Sequence, residues 1–268
     1  MISGRASFYA LNLLWILAAS GVAQDPTPPS EAKAVKMDRL TWGKEVDGEA
    51  PIRHLEVRND YGDIRARFTE ERKLGAWAVV QRLDPGPEGG VGFTVERRGD
   101  TIALTVAYPP GRTRDRDPSP PQDSYDRLDL TVFIPEGLSL GATTLRGMVE
   151  ARGLRSDLSA RTLAGNVFAA SSGTIQALTS GGAISAFLTG DPGTSPRPYF
   201  FQSATGPITL TLPPTANLAL DLRTGGQVTS VFPVKRAPGR AHGQLGRGGR
   251  LLLAVSDTGP LELRRAER

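Results

Sequence analysis

The 268-residue chain has no cysteine, a formal net charge of +4, and 31 glycines beside 21 prolines. The missing cysteines exclude disulfides, thiolate metal centres, cysteine nucleophiles and a lipidated processing site. The basic residues are chiefly arginines interleaved with Asp and Glu, a mixed solvated surface without the clustered stripe and aromatic platforms of a nucleic-acid binder, so no nucleic-acid partner is expected.

Residues 1–23 (MISGRASFYALNLLWILAASGVA) place Arg5 before an apolar run and end on small residues, the pattern of a secretory signal peptide cleaved after Ala23. A retained signal anchor is the rival, but the run is shorter than the ~20 apolar residues of a spanning helix. Residues 24–36 (QDPTPPSEAKAVK) are Pro-rich and polar and read as a flexible spacer. A single all-β domain is expected over 37–265, with N-terminal strands over 37–135, more sandwich-like in character, and repeat rungs over 136–265.

Strands are predicted at 52–57, 64–68, 76–82, 91–97, 101–108 and 128–134, from alternation and from β-branched and aromatic content. Residues 109–127 (PPGRTRDRDPSPPQDSYDR) interrupt them as an exposed charged loop. Residues 237–250 (APGRAHGQLGRGGR) form a second, glycine- and arginine-rich loop, and strands at 251–255 and 261–263 close the fold. No segment shows a sustained helical period with caps.

A short unit recurs along the chain: a polar residue, two of any kind, a glycine, one more residue, then an aliphatic. Its glycines are Gly62, Gly147, Gly165, Gly182, Gly206, Gly226 and Gly259, and from Gly147 to Gly182 they lie 18 and then 17 residues apart. Such a period points to stacked repeats. Alternation continues past each glycine, with Ala66, Ala151, Ala169, Ala186, Leu210, Ser230 and Leu263 expected inward. The unit therefore reads as strand, glycine turn, strand, with the glycine supplying positive φ. Two strands of about five residues fit one rung of a β-solenoid. An antiparallel meander remains equally compatible with this short-range pattern, because Gly-Gly pairs also make hairpins. A longer echo relates 130–140 (LTVFIPEGLSL) to 208–220 (ITLTLPPTANLAL), each a strand, a proline turn and a second strand leading to the glycine unit.

The run LEVRNDYGDI at 55–64, the strand ending FIPEG at 133–137, the glycine units and the segment SDTGPLEL at 256–263 together resemble the bacterial "putative adhesin" family of extracytoplasmic domains of unknown function. The resemblance spans roughly residues 50–265. It implies an all-β solenoid exported to the cell envelope, periplasmic, extracellular or at the cell surface, and it implies no catalytic residue. The loops at 109–127 and 237–250 depart from the family's even stack.

No catalytic, cofactor-binding or metal-ligating set emerges. His54 and His242 sit in a strand and a glycine-rich loop, without the spacing of a metal site. Asp115, Asp117, Ser119 and Asp126 lack the central glycine of a calcium loop, with Pro120 at the turn and Arg112, Arg114, Arg116 and Arg127 around it. Ser171 and Ser180 fall on turns rather than in a nucleophile motif. The glycines of 243–249, with Arg247, lack the strand-to-helix context of a phosphate loop. A carbohydrate-active enzyme, the alternative reading, needs paired outward carboxylates. The outward column Arg65, Glu150, Phe168, Ser185, Thr209, Thr229 and Glu262 offers only two, many rungs apart if stacking follows sequence order. The column before each glycine (Asn59, Thr144, Thr162, Thr179, Ser203, Arg223 and Ser256) is expected to face outward, bonding across rungs and presenting a polar surface to a glycan or an envelope protein. The expected role is non-enzymatic binding or scaffolding, with a purely structural spacer as a further alternative.

Overall fold

Two open mixed sheets carry all the regular structure in the computed structural model, which describes residues 35–46, 51–83, 91–108, 127–190 and 197–267; no helix and no closed barrel occurs among them. The signal-peptide reading, the spacer up to residue 34 and the loop at 109–126, with Asp115, Asp117, Ser119 and Asp126, lie outside the described residues.

The first strands are β1 (Val35–Glu45), β2 (His54–Tyr61), β3 (Ile64–Phe68), β4 (Lys73–Leu83), β5 (Gly92–Arg98), β6 (Thr101–Ala107) and β7 (Arg127–Ile134). Six of these seven match the alternation read above, and the first, β1, was not among the strands predicted. β1 begins inside the stretch read as spacer, because it pairs with β4 along its whole length, Val35 opposite Leu83 to Glu45 opposite Lys73. The middle of the chain gives β8 (Ser139–Arg146), β9 (Val149–Leu154), β10 (Leu158–Ala164), β11 (Val167–Ser171), β12 (Ile175–Thr179), β13 (Ile184–Leu188), β14 (Tyr199–Ser203) and β15 (Ile208–Leu212). These alternate strictly between the sheets and pair in parallel with strands of the neighbouring tier. That pairing removes the antiparallel meander for this region. The last strands are β16 (Leu218–Thr224), β17 (Val228–Ser230), β18 (Lys235–Ala237), β19 (Arg240–Leu245), β20 (Arg250–Ser256) and β21 (Leu261–Arg265). The stretch 237–250, expected as a loop, is mostly strand. β18 and β19 form a hairpin about Gly239, whose φ of 68° only glycine adopts easily, and β19 extends the sheet beside β16.

The first sheet runs β1-β4-β7-β3-β9-β11-β13-β15-β21-β17, and the second β18-β19-β16-β20-β14-β12-β10-β8-β2-β6-β5. Eight strands in each are mutually parallel, from β7 to β17 and from β16 to β6. Antiparallel strands flank them: β1 and β4 in the first sheet, β5, β18 and β19 in the second. Stacking does not follow chain order at the ends. The β2/β3 pair sits between β6/β7 and β8/β9, and β20/β21 sits between β14/β15 and β16/β17. The sequence echo marks these two places. At Pro135 and at Pro213 the chain steps over an intervening strand pair, so the linker must span about two strand spacings, ~10 Å, instead of one.

Inward side chains from both sheets join one apolar cluster. Ala66, Ala151, Ala169 and Ala186 stack across the first sheet, and Ala142, Ala160 and Ala177 across the second, all fully buried. Larger groups, Tyr199, Phe201 and Leu210, fill the interior nearer β20 and β21. Each buried Leu, Ile or Val contributes on the order of 1.5–3 kcal/mol.

The seven unit glycines form a column at the corner between the sheets. A Cβ on Gly147 would lie 2.0 Å from the Gly62 carbonyl oxygen, on Gly165 2.0 Å from that of Gly147, on Gly182 1.7 Å from that of Gly165, and on Gly206 1.9 Å from that of Gly182. Gly259 and Gly226 continue the column, each against the carbonyl of the glycine before it in space. Only Gly62 and Gly147 have positive φ, 133° and 159°. The expectation of a left-handed turn therefore fails at five of the seven. Crowding by the next backbone is the reason for glycine there.

The polar column beside these glycines is buried, contrary to the expected outward polar face: Asn59, Thr144, Thr162, Thr179, Ser203 and Ser256 are at most 6% exposed. Each hydroxyl donates to the glycine carbonyl of the adjacent tier, as Thr162 to Gly147 (3.0 Å), Thr179 to Gly165 (2.8 Å) and Ser203 to Gly182 (2.9 Å). The same oxygen accepts the N–H of its own glycine, as in Thr179–Gly182 (3.1 Å), Ser203–Gly206 (2.9 Å) and Ser256–Gly259 (2.9 Å). Thr224, not Arg223, fills this role before Gly226, donating to Gly259 O at 2.5 Å; Arg223 lies on the surface. Asn59 ends the column. Its amide donates to Leu128 O (2.8 Å) and its carbonyl accepts the Tyr108 hydroxyl (2.6 Å). Burial pushes the Tyr108 phenol well above its usual range.

Candidate functional site

Many surface charges pair with a near neighbour in sequence. Side chains two apart on a strand share a face, and several such pairs are salt bridges: Asp63–Arg65 (2.9 Å), Arg127–Asp129 (2.8 Å), Glu150–Arg152 (2.5 Å) and Asp221–Arg223 (2.7 Å). Glu150 of the outward column is almost buried, held also by Arg67 at 2.8 Å. Asp63 takes Arg127 (2.9 Å) and the Met148 N–H (2.9 Å). Glu262 lies four strands from Glu150, roughly 19 Å, so these two carboxylates cannot act as a pair. Asp221 is held below the usual carboxylate range, first by the Arg223 hydrogen bond and then by that from Arg240. His242 stands beside it on β19, in a strand and not in a loop.

Ser171 is a structural hydroxyl, donating to Leu154 O (3.1 Å) and Ser156 O (2.6 Å). Ser180 is an exposed corner residue. Within 243–249 the chain is the end of β19 and a turn, where the Asn217 side chain accepts the Arg247 N–H (3.0 Å). Among the described residues no group of three or more His, Asp or Glu could hold a metal, and no helix is long and apolar enough to cross a membrane.

A concave site does form on the outer face of the second sheet. Its floor is Gly141, in the middle of β8, where a Cβ would meet nothing nearer than 3.9 Å. Neither crowding nor left-handed geometry requires this glycine, and its missing side chain leaves a groove of about 330 Å³. Parallel pairing brings Glu56 to one side of Gly141 and Ser159 and then Gln176 to the other. His54, Ser139 and Asp157 line the next row, with Arg197 at the rim. The rim is braced by Arg250, which stacks over Tyr199 at 4.3 Å and donates to the Thr174 hydroxyl and the Arg197 carbonyl.

The Ser139 hydroxyl donates to Arg53 O at 3.2 Å, and its own oxygen is contacted by His54 Nδ1. Both bonds are satisfied when His54 donates and Ser139 accepts, which is the reverse of a base activating a nucleophile. Asp157 accepts the Thr174 N–H at 2.8 Å. Sequence reading found His54 but not its companions, because Glu56, Gly141, Asp157 and Gln176 come from four different segments. The visible signal was Gly141 itself, a glycine inside a strand without a turn.

No protein-family model and no curated protein matches the chain. Among solved structures it is similar to a putative cell adhesion protein of Clostridium sporogenes, with TM-score 0.56 and 12% identity over 86% of this chain and 100% of that one. That likeness is one of fold alone. Putative adhesins of Bacteroides fragilis (TM-score 0.29, 10% identity, 85% and 97% of the chains) and Parabacteroides merdae (TM-score 0.27, 10% identity, 84% and 95%) also align, with scores too low to carry an argument.

Proposed function

We propose that this chain is an exported, non-enzymatic β-solenoid of the cell envelope that binds an envelope protein or surface glycan through the groove over Gly141. The carrying observation is the open space above a strand glycine in a molecule whose corner glycines are all crowded. Hydroxyl, amide, carboxylate and guanidinium groups converge there without a metal cluster or an activated serine, the chemistry of recognition by hydrogen bonding. The signal-peptide pattern of residues 1–23 supports export, and the fold shared with the clostridial protein is consistent with an adhesin-like role.

The test combines fractionation with binding. Material recovered outside the cytoplasm should begin at Gln24. The purified mature chain should be retained on isolated cell-envelope glycan or cross-link to an envelope protein, and Gly141→Val should abolish both. Unchanged retention by Gly141→Val would remove the groove from the reading and leave a structural spacer.

A glycan-cleaving enzyme is the second reading, favoured by one observation: Glu56 and Asp157 flank the same groove from either side of β8. Their Cα atoms lie roughly 12 Å apart by strand spacing and offset, a separation from which two side chains can reach the distance of an inverting pair. Release of reducing ends from envelope polysaccharide, lost in Glu56→Gln, would establish that reading.

A further inference from the structure

We propose that the outer face of the second sheet, over β12, β14, β20 and β16, docks onto an anionic lipid surface. It adjoins the groove over Gly141 but uses other side chains, and it stands independently of that groove's reading. Leu251, Leu253 and Val255 alternate along β20 with the buried Leu252 and Ala254, so all three project outward. Pairing sets Phe200 of β14 beside Leu253. It sets Gln202 of β14 between Val255 and Leu178 of β12. Leu251 is 42% exposed, and the other four apolar side chains are half-buried. The core does not call for them, because Tyr199, Phe201, Leu252 and Ala254 of the neighbouring positions already fill it. Farther along the same face the outward positions are polar, with Glu56 and Arg58 on β2 and Ser159 on β10. An apolar strip confined to one part of an exposed sheet face marks a contact surface.

Cations border the strip on both sides. Arg161 of β10 lies beside Leu178. Arg223 of β16 lies beside Val255, and Arg240 of β19 beside Arg223. Lys235 of β18 follows on the same face, beside His242. The seven contiguous strands from β18 to β10 contain one carboxylate, Asp221, which already holds both Arg223 (2.7 Å) and Arg240 (2.9 Å). Arg161 and Lys235 form no ion pair among the described residues. In the sequence these cations are interleaved with acids, and only the strand order gathers them. Arg161 and Arg223 stand four strand spacings apart, roughly 19 Å, too far to share one small anion. A surface bearing many negative charges meets them together. β20 is bonded on both sides, to β14 and to β16, so this face offers no free backbone to an added peptide strand. An acidic glycan would answer the cations and leave the apolar strip unmatched. The boundary of an anionic bilayer offers headgroup charge and acyl chain together.

The test is flotation of the purified processed chain with two kinds of vesicle, phosphatidylcholine alone and an equal mixture of phosphatidylcholine with phosphatidylglycerol. Binding to the mixed vesicles is expected, falling as salt is raised, and about tenfold weaker binding to phosphatidylcholine alone. Arg161→Gln and Lys235→Gln should each weaken it about fivefold. Leu251→Asp should abolish it. All variants share one N-terminus, so the leader cannot account for a difference between them. Arg161 and Lys235 are exposed, and unchanged denaturant midpoints in their variants would show that the loss is not unfolding. Gly141→Val should bind the mixed vesicles like wild type, which separates this face from the groove. No binding to the mixed vesicles, equal binding to both kinds, or wild-type binding by the double variant Arg161→Gln, Lys235→Gln would each overturn the proposal. Retention on immobilised polyglutamate with none on vesicles would overturn it too, and would assign the face to an acidic protein.

Discussion

The corner column and the N-terminal sheet face use the same residue for opposite ends. At the corner, glycine is present because a neighbouring carbonyl already occupies the space of a Cβ, 1.7 Å away at Gly182. On the faces, a Cβ at Gly75 or Gly141 would make only ordinary contacts, with the Phe133 ring at 3.4 Å and with Glu56 and Leu55 at 3.9 Å. The first kind closes the interior, with a buried hydroxyl tying every tier to the next. The second kind opens the exterior. At Gly141 it leaves the groove of the second sheet's outer face.

Substitution can break that contrast at its strong end. Gly182→Ala should have the largest effect, because backbone atoms must move to admit the methyl group; a loss of about 3 kcal/mol or more is expected in urea unfolding. An equal effect from Gly75→Ala would erase the distinction. Thr179→Val comes next. It leaves the Gly165 carbonyl and the Gly182 N–H without partners, at a cost of about 2 kcal/mol, and Thr179→Ser should recover most of it.

Tyr108→Phe sharpens the comparison at the column's end. It should cost about 1 kcal/mol at neutral pH by stranding the Asn59 carbonyl. The phenol's raised pKa also sets a sign. The unfolded chain releases this proton near pH ~10 and the folded chain only higher, so Tyr108 contributes fully below that pH and its contribution falls as pH rises beyond it. Denaturant midpoints between neutral and alkaline pH should decline less steeply in Tyr108→Phe than in wild type. The smallest effect belongs to Gly75→Val, which should leave stability unchanged or raise it by about 0.5–1 kcal/mol through strand propensity. A clear loss in thermal unfolding would place Gly75 with the corner glycines.

Much of the fold was readable because period-two burial is written plainly. Strands such as Ile64–Phe68 and Leu261–Arg265 emerge with their inward aliphatics in place. Three things were hidden. The polar residue before each glycine looks like a surface residue in a one-dimensional pattern; only the adjacent tier, 15 residues away for Thr162 and Gly147, supplies the carbonyl that draws it inside. The glycines of 237–250 suggested a loop, yet a hairpin uses them at its turns while Ala241 and Leu245 reach the core. Finally, the groove over Gly141 is not local in sequence. Glu56, Gly141 and Ser159 meet only because β8 runs parallel between β2 and β10.

The insertion of β20/β21 between earlier strand pairs has a consequence for assembly. Within the sheets β17 pairs only with β21, and β16 pairs only with β20 and the hairpin strand β19. Everything from Leu218 to Leu245 is synthesised before the wedge that joins it to the body. The final segment therefore sits as a keystone between two strand pairs that precede it in the chain, β14/β15 and β16/β17. Until that segment is made, the edges of β14 and β15 stay open.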